Sequence, residues 1–207
     1  MRASFLLVLP ALVAGAALAK QPLPREKPDL DTLIPRRVSV SIGTDHVWGQ
    51  VKSTVAPADR GKDDWSEWDR NGDGALQGAE LQSLAGSLAE AEVEFLSVTV
   101  NGRWLPFPTF VAKVDGGVAD ARPLDAPISF QVSGRMTLLL DRGAHEFALY
   151  GLPDDEDGVL PLRLSFARPY KVLDATGARA ELRMGGRRIE GAATQATPTL
   201  WGRFERF

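Results

Sequence analysis

The chain has 207 residues, 44% hydrophobic and 25% charged, with a formal net charge of -3 and a pI near 5.5. That is enough apolar material for a folded core, and the charge balance argues against an electrostatic grip on nucleic acid. With no cysteine, disulfides, thiolate nucleophiles and zinc ribbons are excluded, and two histidines, His46 and His145, rule out a histidine-rich metal site.

Residues 1–19 have the pattern of a secretory signal peptide. Arg2 supplies a positive charge, Phe5 to Ala17 is almost wholly apolar, and Ala17-Leu18-Ala19 precedes the polar Lys20-Gln21. The apolar run is short for a bilayer span and Pro10 interrupts it. The expected mature protein starts at Lys20, has no membrane span, and is exported to the periplasm or outside the cell. Lys20 to Pro35 carries Pro22, Pro24, Pro28 and Pro35 among charges and reads as a linker.

A β-rich domain is expected over 36–207. Val38, Val40 and Ile42 alternate with serines, and His46 to Val55 reads as a returning strand with Val47, Gly49 and Val51 on one face. A helical insert is expected over 60–92, with an entering helix of about two turns from Lys62 and an exit helix from Glu80 to about Glu92. Leu81, Leu84, Ala85 and Leu88 form the apolar stripe of that exit helix. Beyond it the period is two. Asn101-Gly102 marks a tight hairpin into Arg103–Phe107, and further strands are expected at Ile128–Val132, Met136–Leu140, His145–Leu149, Leu160–Phe166, Ala180–Met184, Arg188–Glu190 and Thr199–Phe204. Short strands at this spacing predict an antiparallel β-sandwich carrying one helical insert.

Within the insert, residues 69–80 read Asp-Arg-Asn-Gly-Asp-Gly-Ala-Leu-Gln-Gly-Ala-Glu. Asp69, Asn71 and Asp73 stand at alternate positions, so their oxygens can converge as the loop curls. Gly74 sits where a bend needs no Cβ, and Glu80 follows with two carboxylate oxygens. All twelve positions resemble the EF-hand calcium-binding loop. The resemblance implies Ca2+ as the ligand and a donor set of Asp69, Asn71, Asp73, the Ala75 carbonyl, Gln77 through a water, and a bidentate Glu80. It also implies that Leu76 pins the loop to the core. EF-hands usually come in pairs, and no second loop is legible. Residues 154–158 are acidic, but aligning Gly158 with the loop glycine puts Pro153 and Leu164 at ligand positions, so they read as a strand-connecting turn.

Trp48, Trp104 and Trp201 are expected in the sandwich core rather than on a stacking platform. No Gly-x-Ser-x-Gly elbow, P-loop or Rossmann fingerprint is present, so no enzyme is predicted. The order of elements, two strands, an EF-hand-like insert, an amphipathic helix and then Val98-Thr99-Val100-Asn101-Gly102, is similar to an exported bacterial family associated with metal transport. It is also similar to the exported N-terminal region of HupE/UreJ-type permeases. The residues thus predict an exported calcium-binding protein with a structural calcium and an unidentified protein partner. The alternative is a soluble accessory of transition-metal transport that would use His46 or His145.

Overall fold

The computed structural model describes residues 36–153 and 158–207, so the signal peptide, the linker and most of the acidic turn at 154–158 lie outside the described residues. Its first strand, β1 (Arg36–Ile42), runs antiparallel to β2 (His46–Val55), with Val38, Val40, Ile42, Val47 and Val51 all buried on one side. The insert follows: β3 (Ala75–Leu76) and the helix α1 (Gly78–Glu92). Next come β4 (Ser97–Val100), β5 (Arg103–Trp104), β6 (Phe110–Val114), β7 (Arg122–Pro123) and β8 (Ile128–Thr137). The remaining strands are β9 (Gly143–Tyr150), β10 (Leu160–Phe166), β11 (Tyr170–Thr176), β12 (Ala178–Arg183), β13 (Arg188–Ala193) and β14 (Thr199–Arg206). No helix among the described residues is long and apolar enough to cross a membrane.

Two sheets form the sandwich. The larger has the order β12-β13-β10-β1-β2-β8-β6 and the smaller β11-β14-β9-β4-β5. Their facing sides enclose the main core, in which Val38, Val40, Ile42 and Leu164 oppose Val98, Phe147, Leu149, Leu200 and Phe204. Phe166 and Phe204 pack with ring centroids 4.9 Å apart, and Tyr170 meets Phe204 edge-on at 5.6 Å.

The smaller sheet leaves one end of the larger one uncovered, and α1 fills that place. Leu81, Leu84, Ala85 and Leu88 pack with Trp65 and Leu76 against Val55, Val114, Ile128, Phe130 and Val132, a second core on the same face of the same sheet. The seam between the two cores is polar. The side chains of Arg36 and Glu92 are 1% and 0% exposed and pair at 3.0 Å, the Ser53 hydroxyl donates to the same carboxylate, and Arg36 stacks on Phe95 with 3.5 Å from Cζ to the ring centroid. Such a pair costs desolvation and holds only with this close partnering.

Several elements differ from expectation. The sheets are not wholly antiparallel: β1 and β10 run parallel, with Val38 opposite Leu162 and Ile42 opposite Phe166. The chain crosses from the smaller sheet to the larger between β9 and β10, and a crossover of this kind can return a strand in the same direction. The expected strands at Ile128–Val132 and Met136–Leu140 are one continuous β8, ending at Thr137. Gly134 does not break it. It lies directly opposite Gly49 of β2, and the pair seats Phe107: a Cβ at Gly49 or Gly134 would come within 2.8 or 2.9 Å of that side chain. The strand after Asn101-Gly102 is only Arg103–Trp104; the Leu105 N–H still reaches the Val98 carbonyl at 2.9 Å, and Pro106 and Pro108 then lack the N–H that would extend the ladder. Both turn residues have positive φ, 52° and 73°. Strands β6 and β11 were not anticipated.

The two-turn entering helix is replaced by single 3-10 turns at Pro57–Arg60 and Ser66–Trp68. Local bonds pull this segment out of helical register. The Asp64 carboxylate accepts the Ser66 N–H at 2.9 Å, and the Trp65 N–H goes to the Leu124 carbonyl at 2.9 Å. Trp48, Trp104 and Trp201 are not core residues. They are 43%, 59% and 40% exposed, with Trp48 on the outer face of the larger sheet and the other two on the smaller sheet.

Candidate functional site: an acidic loop at the end of the sandwich

The loop Asp69–Gly74 is organised by its own carboxylates. Asp69 accepts three backbone N–H groups, from Gly72 and Asp73 on Oδ1 (2.8 and 3.3 Å) and from Gly74 on Oδ2 (2.9 Å). Asn71 Oδ1 accepts the Asp73 N–H at 2.8 Å, and Asp73 Oδ1 accepts that of Ala75 at 3.0 Å. Each is a short side-chain-to-backbone bond of the type Asn and Asp favour in turns. Gly72 and Gly74 have φ of 70° and 81°, a region where other residues are strained, so the bend depends on glycine at these positions.

Glu80 closes the loop from the first turn of α1. Its Oε1 reaches back to accept the N–H groups of Arg70 (2.9 Å) and Asn71 (3.2 Å). The residue is only 8% exposed, and Oε2 is buried without a hydrogen-bond partner. An anionic oxygen in that condition is costly unless a cation meets it. Elsewhere in the loop, Asp69 and Asp73 keep acceptor capacity beyond the N–H groups they hold, since each ionised carboxylate has about four lone-pair sites. Asp73 Oδ2 accepts the amides of Asn71 (2.9 Å) and Gln77 (3.2 Å), which an ion would displace. Ala75 lies opposite Pro123, which has no N–H to offer its carbonyl. All six positions predicted from the motif therefore belong to one loop, and the donor chemistry fits a hard divalent cation. Among the described residues, no three of His, Cys, Asp and Glu form a ready-made metal cage. A cation in this loop would also draw on the Asn71 amide oxygen and the Ala75 carbonyl.

Sequence reasoning missed what the loop leans on. Residues 75–76 pair with β7, Leu76 opposite Arg122, in a two-stranded ladder. The Gly78 N–H donates to the Val118 carbonyl at 2.6 Å, and the Trp65 indole Nε1 donates to Ala126 O at 3.1 Å. Segment 115–126 thus occupies the flank where a paired hand would place its second loop. It is tied in turn to the sandwich by Arg122 Nη2 on Asp115 O (3.0 Å) and Lys52 Nζ on Asp115 Oδ2 (3.0 Å). Asp115-Gly116-Gly117 advertised a turn, but nothing in it announced a partner for residues 75–76.

The histidines lie elsewhere and are engaged. His145 is buried; its Nε2 donates to Asp141 O at 2.9 Å and its Nδ1 accepts from the Asn101 amide at 3.0 Å, which steadies the Asn101-Gly102 turn. His46 Nδ1 meets Asp45 Oδ1 at 2.5 Å, and this bond holds the Asp45 carboxyl below the usual carboxylate range. Neither a scan against protein-family models nor a search of curated proteins finds a match for the chain.

Proposed function

We propose that this is an exported calcium-binding protein in which a single EF-hand, built from Asp69, Asn71, Asp73, Ala75, Gln77 and Glu80, holds one Ca2+ in a structural role. The observation that carries the reading is the buried, unpartnered Oε2 of Glu80, a residue whose Oε1 reaches back to the loop backbone at Arg70 and Asn71. A lone hand of this kind matches the weak class, with Kd of roughly 10⁻⁴–10⁻³ M, suited to an extracellular compartment. Export rests on the Ala17-Leu18-Ala19 pattern. Calcium would fasten the insert to segment 115–126 and so fix a surface for a protein partner.

Titration calorimetry on the purified protein tests this. The expected result is one calcium per chain, with Asp69→Ala and Glu80→Gln each removing most of the affinity. Unchanged binding in Glu80→Gln would place any ion elsewhere and overturn the proposal. Intact mass of the exported species should begin at Lys20; a secreted chain still starting at Met1 would refute the export reading.

A further inference from the structure

The outer face of the larger sheet is polar and carries Arg37, Lys52, Arg135, Arg163 and Arg188, on a chain whose overall charge is negative. Strand register places one row of side chains across five neighbouring strands: Arg188, Ser165, Ser41, Trp48 and Arg135. At the usual spacing of strands the row spans roughly 19 Å. Trp48 is 43% exposed and flanked by the Ser41 hydroxyl on one side and the Arg135 guanidinium on the other. Arg37 lies on the same face, further along β1.

Two of the cations on this face share one acid, and two make no ion pair among the described residues. Glu190 is shared by Arg163 at 3.2 Å and Arg188 at 3.8 Å, whereas Arg135 and Arg37 make no ion pair among the described residues. Asp45 feels the charge of Arg135 but takes its hydrogen bond from His46.

We infer that this face binds a linear acidic polysaccharide, one carrying uronate carboxylates. The exposed Trp48 ring offers a flat apolar surface to the C–H side of a sugar ring. Ser41 and Ser165 offer hydroxyls to match sugar hydroxyls, and Arg135 presents a planar fork suited to a carboxylate. The row is long enough for about four sugar rings at that strand spacing. Charge density separates this ligand from a nucleic acid. A nucleic-acid strand presents a phosphate about every 3.4 Å, whereas the middle of this row is serine and its uncommitted cations are few and far apart. The inference is independent of calcium in the loop at 69–80.

The test uses the full mature chain with calcium present. Binding of a hexasaccharide of β-1,4-linked glucuronate is compared with that of cellohexaose, its uncharged counterpart, and of a single-stranded hexanucleotide. The expected result is saturable binding of the uronate oligosaccharide alone, weakening as salt rises. Trp48→Ala should reduce affinity roughly tenfold, the size of one well-made anchor contact, and Arg135→Gln roughly fivefold with a shallower salt dependence. Trp104→Ala, on the other sheet, should change nothing. Equal binding of cellohexaose, preference for the nucleotide, absence of binding, or full affinity in both Trp48→Ala and Arg135→Gln would each overturn the assignment.

Discussion

Replacing Glu80 by Gln should remove the stabilisation that calcium confers and leave the ion-free protein little changed. In the ion-free protein, Glu80 is a buried carboxylate with one oxygen holding the Arg70 and Asn71 N–H groups and the other unpartnered. Glutamine keeps an acceptor for those two N–H groups and removes the uncompensated charge. It loses the attraction between that charge and the N-terminus of α1, worth about 0.3–1 kcal/mol. These effects oppose each other, so with chelator the variant should lie within about 1 kcal/mol of wild type. With ~1 mM calcium and Kd of roughly 10⁻⁴–10⁻³ M, mass action stabilises wild type by about 0.4–1.4 kcal/mol. For a chain of this size that is a rise in Tm of about 1–5 °C. Glu80→Gln should show almost none of it. Thermal melts with and without calcium, followed by the fluorescence of Trp65, which is buried beside the loop, make the measurement. A calcium-induced shift of equal size in both proteins would refute the reasoning. So would a variant several kcal/mol less stable than wild type in chelator, since the Glu80 charge would then be well compensated without an ion.

Three other outcomes follow from the fold. Glu92→Gln removes the carboxylate charge that faces the buried Arg36 guanidinium at the seam of the two cores and should cost more in denaturant unfolding than the ~1 kcal/mol at most of a surface pair. Gly134→Ala drives a methyl into Phe107 and should cost about 1–3 kcal/mol, measurable in the same experiment. Acid should destabilise the protein through Asp45, Asp64 and Asp174. Hydrogen bonds from His46, Ser66 and Arg203, respectively, hold these carboxyls below their ordinary range. Because the unfolded chain takes up these protons first, their contribution is intact above the ordinary carboxylate pKa of about 4 and is lost as pH falls through the lower folded values. A urea midpoint series from pH 6 to pH 2 should show the decline, and Asp174→Asn should flatten part of it.

The loop and most strands were legible because their signals are local. The alternation of Val38, Val40 and Ile42, the Asn101-Gly102 turn and the spacing of Asp69, Asn71, Asp73 and Glu80 each express geometry over a few residues. What escaped depends on contacts between distant segments. Alternation says which side of a strand is buried but not the direction of its neighbour, so the parallel match of β1 with β10 left no trace. β8 was expected as two strands, Ile128–Val132 and Met136–Leu140; the reason a glycine sits between them, the Phe107 side chain, lies 27 residues from Gly134. Trp48, Trp104 and Trp201 were placed inside on hydrophobicity alone, whereas strand register sets them outward. The entering helix failed because the Leu124 carbonyl and the Asp64 carboxylate take the N–H groups of Trp65 and Ser66. Residues 115–126 gave no sign that they brace the loop, since Arg122 and Pro123 form a ladder only two residues long.

The position of α1 beside the smaller sheet has a consequence for how the chain can be cut. A surface insertion can be excised and its ends rejoined, leaving its host intact. Here the helix serves as half of a layer: remove residues 57–96 and Val55, Val114, Ile128, Phe130 and Val132 become a bare apolar strip on the larger sheet. A shortened chain of that kind should self-associate through the strip rather than persist as a smaller sandwich. The loop at 69–80 is therefore not a detachable module, because the helix that supplies Glu80 to the loop also roofs one end of the larger sheet.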